Sequence, residues 1–168
     1  AGILAAGNRA MIKPSEFTER VSALFEEVVP KYFAEEEMAV FTGDAEVGMA
    51  FSKLAFDHMI FTGATGVGRH IMRAAADNLV PVTLELGGKS PNVILDDLDD
   101  EGFTKAVAAG VGKCFLNSGQ TCTALTRMLV PRARLAQAEQ IAAAAASKFT
   151  VGDPFDPASR LGPLVSAV

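Results

Sequence analysis

Short apolar runs alternate with longer amphipathic stretches along this chain, the pattern of βαβ units over a mostly parallel sheet. Ala10-Met11-Ile12 reads as a first strand, ending at Lys13-Pro14. Pro14 or Ser15 then opens a helix with Val21, Leu24, Phe25 and Val28 on one stripe, stopped near Pro30. Met38 to Phe41 is the second strand, and Thr42-Gly43-Asp44 turns it into a helix that Asp44 can cap. His58 to Thr62 is a third, running into Gly63-Ala64-Thr65-Gly66-Val67-Gly68 and a helix with Val67, Ile71, Met72 and Ala75 on one side. Val80 to Leu84 makes a fourth, ending at Glu85, although Pro81 sits poorly in its first residues. Pro91 to Leu95 is a fifth, and an aspartate-rich turn leads from it to a helix with Phe103, Val107, Val111, Cys114 and Phe115 inward. Arg127 to Pro131 reads as the last strand. Ala133 to Phe149 reads as an alanine-rich helix with Leu135, Ile141, Ala145 and Phe149 on one face.

Composition narrows the class. The chain has 168 residues, of which 49% are apolar and 21% charged, enough to bury a core rather than stay disordered. Its net charge is −5, and no basic stripe appears, which argues against nucleic acid or an anionic membrane as partner. No apolar run approaches the roughly 18 residues of a membrane span. Two cysteines, eight positions apart, give neither a disulfide framework nor a metal-ligand spacing, so no metal is expected. These features predict a soluble, cytoplasmic protein. Ala1 without a start methionine, and an end at Val168 without a polar tail, read as cuts inside a longer chain. The turn Leu86-Gly87-Gly88-Lys89 is the best boundary between two domains, 1–86 and 87–168.

Four places carry candidate chemistry. Gly63 to Gly68 follows a strand and opens a helix, a context in which backbone N–H groups can approach a phosphate. The same glycines also describe a plain tight turn. Arg69 and His70 rule out a Walker A loop, and Ile71 takes the place of the third glycine of the dinucleotide fingerprint. Lys13 and Glu16 sit at the carboxyl end of the first strand, where open α/β sheets bind ligands; alternatively they form a solvated helix start. Cys122 closes the polar loop Asn117-Ser118-Gly119-Gln120-Thr121 and lies on no apolar stripe, whereas Cys114 shares one with Phe103 and Val107 and reads as a small buried hydrophobe. Glu85, tucked against apolar neighbours before Gly87-Gly88, suits a general base, or else is a strand-end residue facing water. His58 and His70 are poorly placed for a cysteine–histidine hydrolase. Asp96, Asp97, Asp99 and Asp100 lack calcium-loop spacing and read as a solvated turn.

Taken in order, these segments resemble the central stretch of the aldehyde dehydrogenase superfamily, over essentially the whole chain. Leu84-Glu85-Leu86-Gly87-Gly88-Lys89-Ser90-Pro91 resembles the family's general-base motif, and Gly119-Gln120-Thr121-Cys122 its nucleophile motif. Lys13-Pro14-Ser15-Glu16 is similar to the segment that holds the adenosine ribose, and Phe61 to Gly68 to the phosphate and adenine loop. The stretch from Phe56 to Pro91 looks like the coniferyl-aldehyde branch, and that from Asn117 to Pro131 like betaine-aldehyde-type members. Ala64 stands where many members have a serine able to bond the pyrophosphate.

The resemblance implies a Rossmann-like, parallel-sheet cofactor-binding portion joined to the start of an α/β catalytic domain. It implies oxidation of an aldehyde to a carboxylic acid through a thioester on Cys122, with Glu85 activating water. Lys13, Glu16, Thr62, Gly63, Ala64, Val67, Gly68 and Leu86 would contact the cofactor. Glu16 should repel a 2′-phosphate, so NAD is expected over NADP. The full-length enzyme is expected to be a homo-oligomer. The family's oxyanion asparagine is expected before Ala1 and its second glutamate after Val168. A non-catalytic nucleotide-binding module that kept the central sheet is the alternative.

Overall fold

The computed structural model describes residues 2–167; the two ends read as cuts, Ala1 and Val168, lie outside the described residues. The chain divides into two compact units, one running to Glu85 and one over Leu86–Ala167.

In the first unit a single helical turn, α1 (Gly2–Ala5), precedes β1 (Ala10–Ile12). A 3₁₀ turn at Glu16–Thr18 leads into α2 (Glu19–Val28), so the α-helix proper starts later than the sequence pattern places it. The reason is local: Ser15 caps the 3₁₀ turn by accepting from the Phe17 N–H. β2 (Met38–Val40) pairs with β1 in parallel, in the register Ala10↔Met38, Met11↔Ala39 and Ile12↔Val40. Asp44 caps α3 (Ala45–Phe51) as expected, accepting from the amides of Glu46 at 2.9 Å and Val47 at 3.2 Å. β3 (Met59–Gly63) runs into α4 (Thr65–Ala76), and β3 is hydrogen-bonded to β4 (Val82–Leu86).

β4 differs from its expected span. Pro81 has no N–H to donate and contributes only its carbonyl, which accepts from the Met59 amide at 2.9 Å; the strand proper runs from Val82, and Glu85 lies inside it rather than ending it. Met59, Ala75 and Val80 form the unit's buried cluster, with Ile71 and Val82 packed on it. The apolar stripes of two helices are only partly covered. On α4, Val67 and Met72 are exposed while Ala75 is buried. On α2, Val21, Leu24 and Phe25 are each about half exposed, and the buried residue is Ser22. Its hydroxyl donates to the carbonyls of Ser15 and Thr18, which satisfies it where it is buried.

The second unit pairs β5 (Pro91–Val93) with β6 (Arg127–Leu129) in parallel, with Asn92 opposite Met128. Asp99 caps α5 (Asp100–Cys114) by accepting from the Gly102 amide at 2.7 Å. α6 (Leu135–Ala146) starts after a 3₁₀ turn at Arg132–Arg134 and ends before Phe149, shorter than its alanine-rich run predicts. Phe103 and Val107 are fully buried and join Ile94 and Ala138 in the core. Burial of such side chains stabilises by roughly 1.5–3 kcal/mol each. Arg134 closes one end of this core: its guanidinium lies 3.7 Å from the Phe103 ring centre and donates to Leu98 O at 2.8 Å and Asp100 at 2.6 Å. Cys114 is only half-buried, because it lies at the end of α5 beside the groove lined by Phe115, Leu125 and Met128 rather than inside the core. Among the described residues the strands pair two by two rather than forming one continuous sheet.

Gly110 is where α5 meets the β5–β6 pair. A Cβ there would collide with the Asn92 amide and with Met128 Cε, the latter at 2.7 Å. Gly110→Ala is therefore expected to destabilise this unit by no more than about 1 kcal/mol, because the atoms it meets are the ends of the Asn92 and Met128 side chains and alanine's better helix propensity offsets part of the crowding. Urea denaturation of the variant against wild type measures it.

Candidate active site

Lys13 leaves β1 and meets Glu16 at 3.2 Å, with the lysine side chain 11% and the glutamate 41% exposed. Bonding to its own backbone amide, and then to Lys13, holds the Glu16 carboxyl below the usual carboxylate range. A folded value below the ordinary one means that this contribution is complete above the ordinary range. It is lost as pH falls through the lowered value. Glu16 also lines a groove of about 310 Å³ with Ser15, Glu19, Ser22, Glu26 and Thr42. There the Thr42 hydroxyl donates to Glu26 at 3.1 Å. Hydroxyls, carboxylates and one lysine suit the hydroxyl-rich ribose end of a nucleotide.

The Thr62-Gly63-Ala64 turn carries β3 into α4. Ala64 occupies the N-cap position and gives no side-chain cap, so the first amides of the helix are left for another acceptor. Val67 is exposed on the first turn of α4, and Gly68 is buried with its amide bonded to the Ala64 carbonyl. These residues fit a dinucleotide: hydroxyl-binding groups at the end of β1, and a helix N-terminus without a side-chain cap for a phosphate.

Glu85 is exposed on β4, and Leu86, half-buried, is the last residue of that strand. The tucked environment expected for the carboxylate is not what its surroundings provide. The strand alternates, with Val82, Leu84 and Leu86 facing one side and Thr83 and Glu85 the other.

Cys122 is exposed in the second unit, on a loop of unusual backbone. Asn117, Ser118 and Gly119 all have left-handed φ angles, of 52°, 55° and 76°. Glycine takes this freely and asparagine tolerates it, but serine does so at a cost on the order of 1–2 kcal/mol. Such a run persists only where its surroundings hold it. Here the Ser118 hydroxyl donates to Gly162 O at 3.1 Å, and the Val165 amide donates to Gln120 Oε1 at 2.9 Å. Asn117 and Gln120 each donate from the side-chain amide to the other's carbonyl, at 3.2 and 3.3 Å. Downstream, Ser90 Oγ donates to the Cys122 carbonyl at 3.4 Å, and the Ala124 amide to the Thr121 carbonyl at 3.1 Å. Among the described residues no protein acceptor takes the Cys122 backbone N–H.

The structure thus brings Lys13 to Glu16 within the first unit, and Ser90 to Cys122 within the second. Glu85 and Cys122 belong to different units, as do the histidines and Cys122. His58 is engaged with Thr83 at 2.9 Å, which leaves the cysteine-hydrolase reading without a histidine beside the thiol in its own unit. Sequence reasoning missed Glu19, Ser22 and Thr42 around the groove, and the ties from Ser118 and Gln120 to Gly162 and Val165. No spacing rule announces a bond across more than forty residues. Among the described residues no cluster of potential metal ligands occurs, and no helix is long and apolar enough to cross a membrane.

Comparison with known proteins adds an independent line. The chain is 53% identical over 149 residues to a probable coniferyl aldehyde dehydrogenase of Caulobacter vibrioides, covering 89% of this chain and 30% of that protein. It is 43% identical over 123 residues to a dog aldehyde dehydrogenase described as dimeric and NADP-preferring, covering 73% of this chain and 26% of that one. The structure matches that of Staphylococcus aureus betaine aldehyde dehydrogenase in complex with NAD+, with a TM-score of 0.85 and 36% identity, over 98% of this chain and 33% of the other. The chain therefore spans about a third or less of the relatives it matches. The aldehyde dehydrogenase family pattern covers residues 1–168, and the chain belongs to that family.

Proposed function

We propose that the protein carrying this chain oxidises an aldehyde to a carboxylic acid, with Cys122 as nucleophile and Glu85 as the base that activates water. The observation that carries this reading is the exposed thiol of Cys122 on a loop that departs from ordinary backbone and is tied down on both sides. A sulfur held in that way, with its own amide unclaimed among the described residues, is suited to addition to a carbonyl.

In the proposed reaction the Cys122 thiol gives up its proton and its sulfur adds to the aldehyde carbon. The Cys122 amide donates to the oxyanion that forms, a contribution typically of about 3–4 kcal/mol per donor. A bound nicotinamide dinucleotide would supply the hydride acceptor. Once the carbon is oxidised, the sulfur of Cys122 carries the acyl group as a thioester. Glu85 takes a proton from water as the oxygen adds to that thioester, and the acid leaves with the thiol restored. Lys13 and Glu16 would hold the ribose hydroxyls, Thr62, Gly63, Ala64, Val67 and Gly68 the phosphate and adenine side, and Leu86 a face of the cofactor. The test is to supply an aldehyde and NAD+ and to look for an acyl group by mass spectrometry after rapid quench. Coniferaldehyde and betaine aldehyde are the first to try, after the relatives' names. Label on Cys122 supports the proposal; turnover with label elsewhere, or none, overturns it.

NAD is the proposed cofactor, since Glu16, with Glu19 and Glu26 lining the same groove, would repel a 2′-phosphate. Glu16→Gln is expected to improve the affinity of NADP+ relative to NAD+ by roughly tenfold, a change of about 1.4 kcal/mol. Titration calorimetry with each dinucleotide measures it, and an unchanged ratio would remove Glu16 from the selection.

A further inference from the structure

We propose that Gln120 is a positioning residue, acting with Asn117 and Ser118 to set the direction of the Cys122 backbone N–H toward an oxyanion. This rests on Cys122 being the nucleophile, but not on the electron acceptor that follows.

In a trans peptide the carbonyl and the N–H of one unit point in opposite directions, so fixing one fixes the other. The Cys122 N–H shares its unit with the Thr121 carbonyl, and that carbonyl accepts from the Ala124 amide at 3.1 Å. The preceding carbonyl, of Gln120, accepts from the Asn117 side chain at 3.2 Å. Two consecutive peptide units leading to the sulfur are therefore clamped. The Gln120 side chain is the group that secures this loop to the rest of its unit. It donates to Asn117 O at 3.3 Å and accepts from the Val165 amide at 2.9 Å, 45 residues away. Ser118 adds a parallel tie to Gly162 O at 3.1 Å. The left-handed run at Asn117, Ser118 and Gly119 would otherwise relax to ordinary backbone. Relaxation would rotate the units that follow, and the N–H of Cys122 with them.

A side chain that positions this N–H leaves a signature that a simple staple does not. Acylation of the thiol by p-nitrophenyl acetate forms the S–C bond and breaks the C–O bond, releasing p-nitrophenolate, with the thiol proton passing to solvent. It goes through an oxyanion at the carbonyl carbon. Alkylation by iodoacetamide displaces iodide at an sp³ carbon and forms none. Both rates are read on the intact protein without cofactor, with the modified residue confirmed by peptide mapping.

In Gln120→Leu, acylation of Cys122 is expected to fall by about 10- to 100-fold while alkylation stays within about twofold of wild type. Gln120→Glu keeps the acceptor for the Val165 amide and is expected to recover part of the lost acylation. Ser118→Ala, which removes only the Gly162 tie, should shift the same ratio in the same sense by a few-fold, and it decides the matter if Gln120→Leu does not fold. Equal loss of both rates, or no change in their ratio, overturns the proposal. The ratio is measured whether or not the protein oxidises aldehydes, so a failure of the dehydrogenase reading shows up separately, as absent turnover in wild type.

Discussion

Cys122→Ala is expected to reduce aldehyde oxidation by a factor on the order of 10⁴–10⁶, the scale of loss when an enzyme's nucleophile is removed. The size of the effect follows from what the sulfur does. It is the only protein atom that bonds to substrate in the proposed sequence. Cys114 is half-buried beside Phe115 at the end of α5, on the far side of the left-handed loop in sequence. Dinucleotide affinity should be unchanged, because the groups proposed to hold the cofactor lie just after β1, on β3 and the start of α4, and at the end of β4. Cys122→Ser is the sharper variant, since it keeps an oxygen of similar size. A hydroxyl is far harder to deprotonate than a thiol at neutral pH, and its ester is less reactive toward water. It too should lose several orders of magnitude. Steady-state assays of the three proteins, with calorimetric titration of NAD+, check both halves. A Cys122→Ala variant within tenfold of wild type would end the thioester mechanism. The companion control is Cys114→Ala, which should retain turnover.

Much of this arrangement was legible in the sequence, and the exceptions have physical causes. β1, the Asp44 cap and the Phe103–Val107–Val111 stripe follow from local rules: strand length, an acidic side chain before a helix, and apolar residues at helical spacing. The stripes of α2 and α4 follow the same rule and yet are only partly covered, with Val21, Leu24, Val67 and Met72 exposed while Ile71 and Ala75 pack inward. Periodicity tells which residues share a face. It does not tell which face the unit covers, and in α2 the one buried residue is Ser22, bonded to the carbonyls of Ser15 and Thr18. The exposure of Cys122 was legible from its polar loop. The bonds that hold that loop were not, because Gly162 and Val165 lie in a stretch whose sequence carries no periodic signal. Glu85 was legible as a motif residue, but its exposure was not. Glu85 falls on the face opposite Val82, Leu84 and Leu86, and the apolar residues on either side of it in sequence do not cover it.

Glu85→Gln is expected to lower steady-state turnover by about 10²–10⁴-fold, the usual worth of a positioned general base. The loss should fall in one half of the reaction. Glutamine keeps the size and a carbonyl oxygen but cannot take a proton from water, so hydrolysis of the thioester is what slows. Addition of the Cys122 sulfur to the aldehyde and oxidation of the carbon need no water. The variant should therefore produce reduced cofactor in a rapid burst of about one equivalent per site and then stall. The acyl group should be recoverable on Cys122 by mass spectrometry throughout the stall. An added small nucleophile such as hydroxylamine, which attacks a thioester without a base, should restore turnover in the variant more than in wild type. Other outcomes assign the carboxylate differently. If the burst is lost along with steady-state turnover, Glu85 is the base for the thiol rather than for water. Turnover equal to wild type would leave Glu85 as one exposed position on a strand whose other face, Val82, Leu84 and Leu86, is the half-buried one. The choice between these roles rests on the pre-steady-state trace, because steady-state rates alone would fall in both cases.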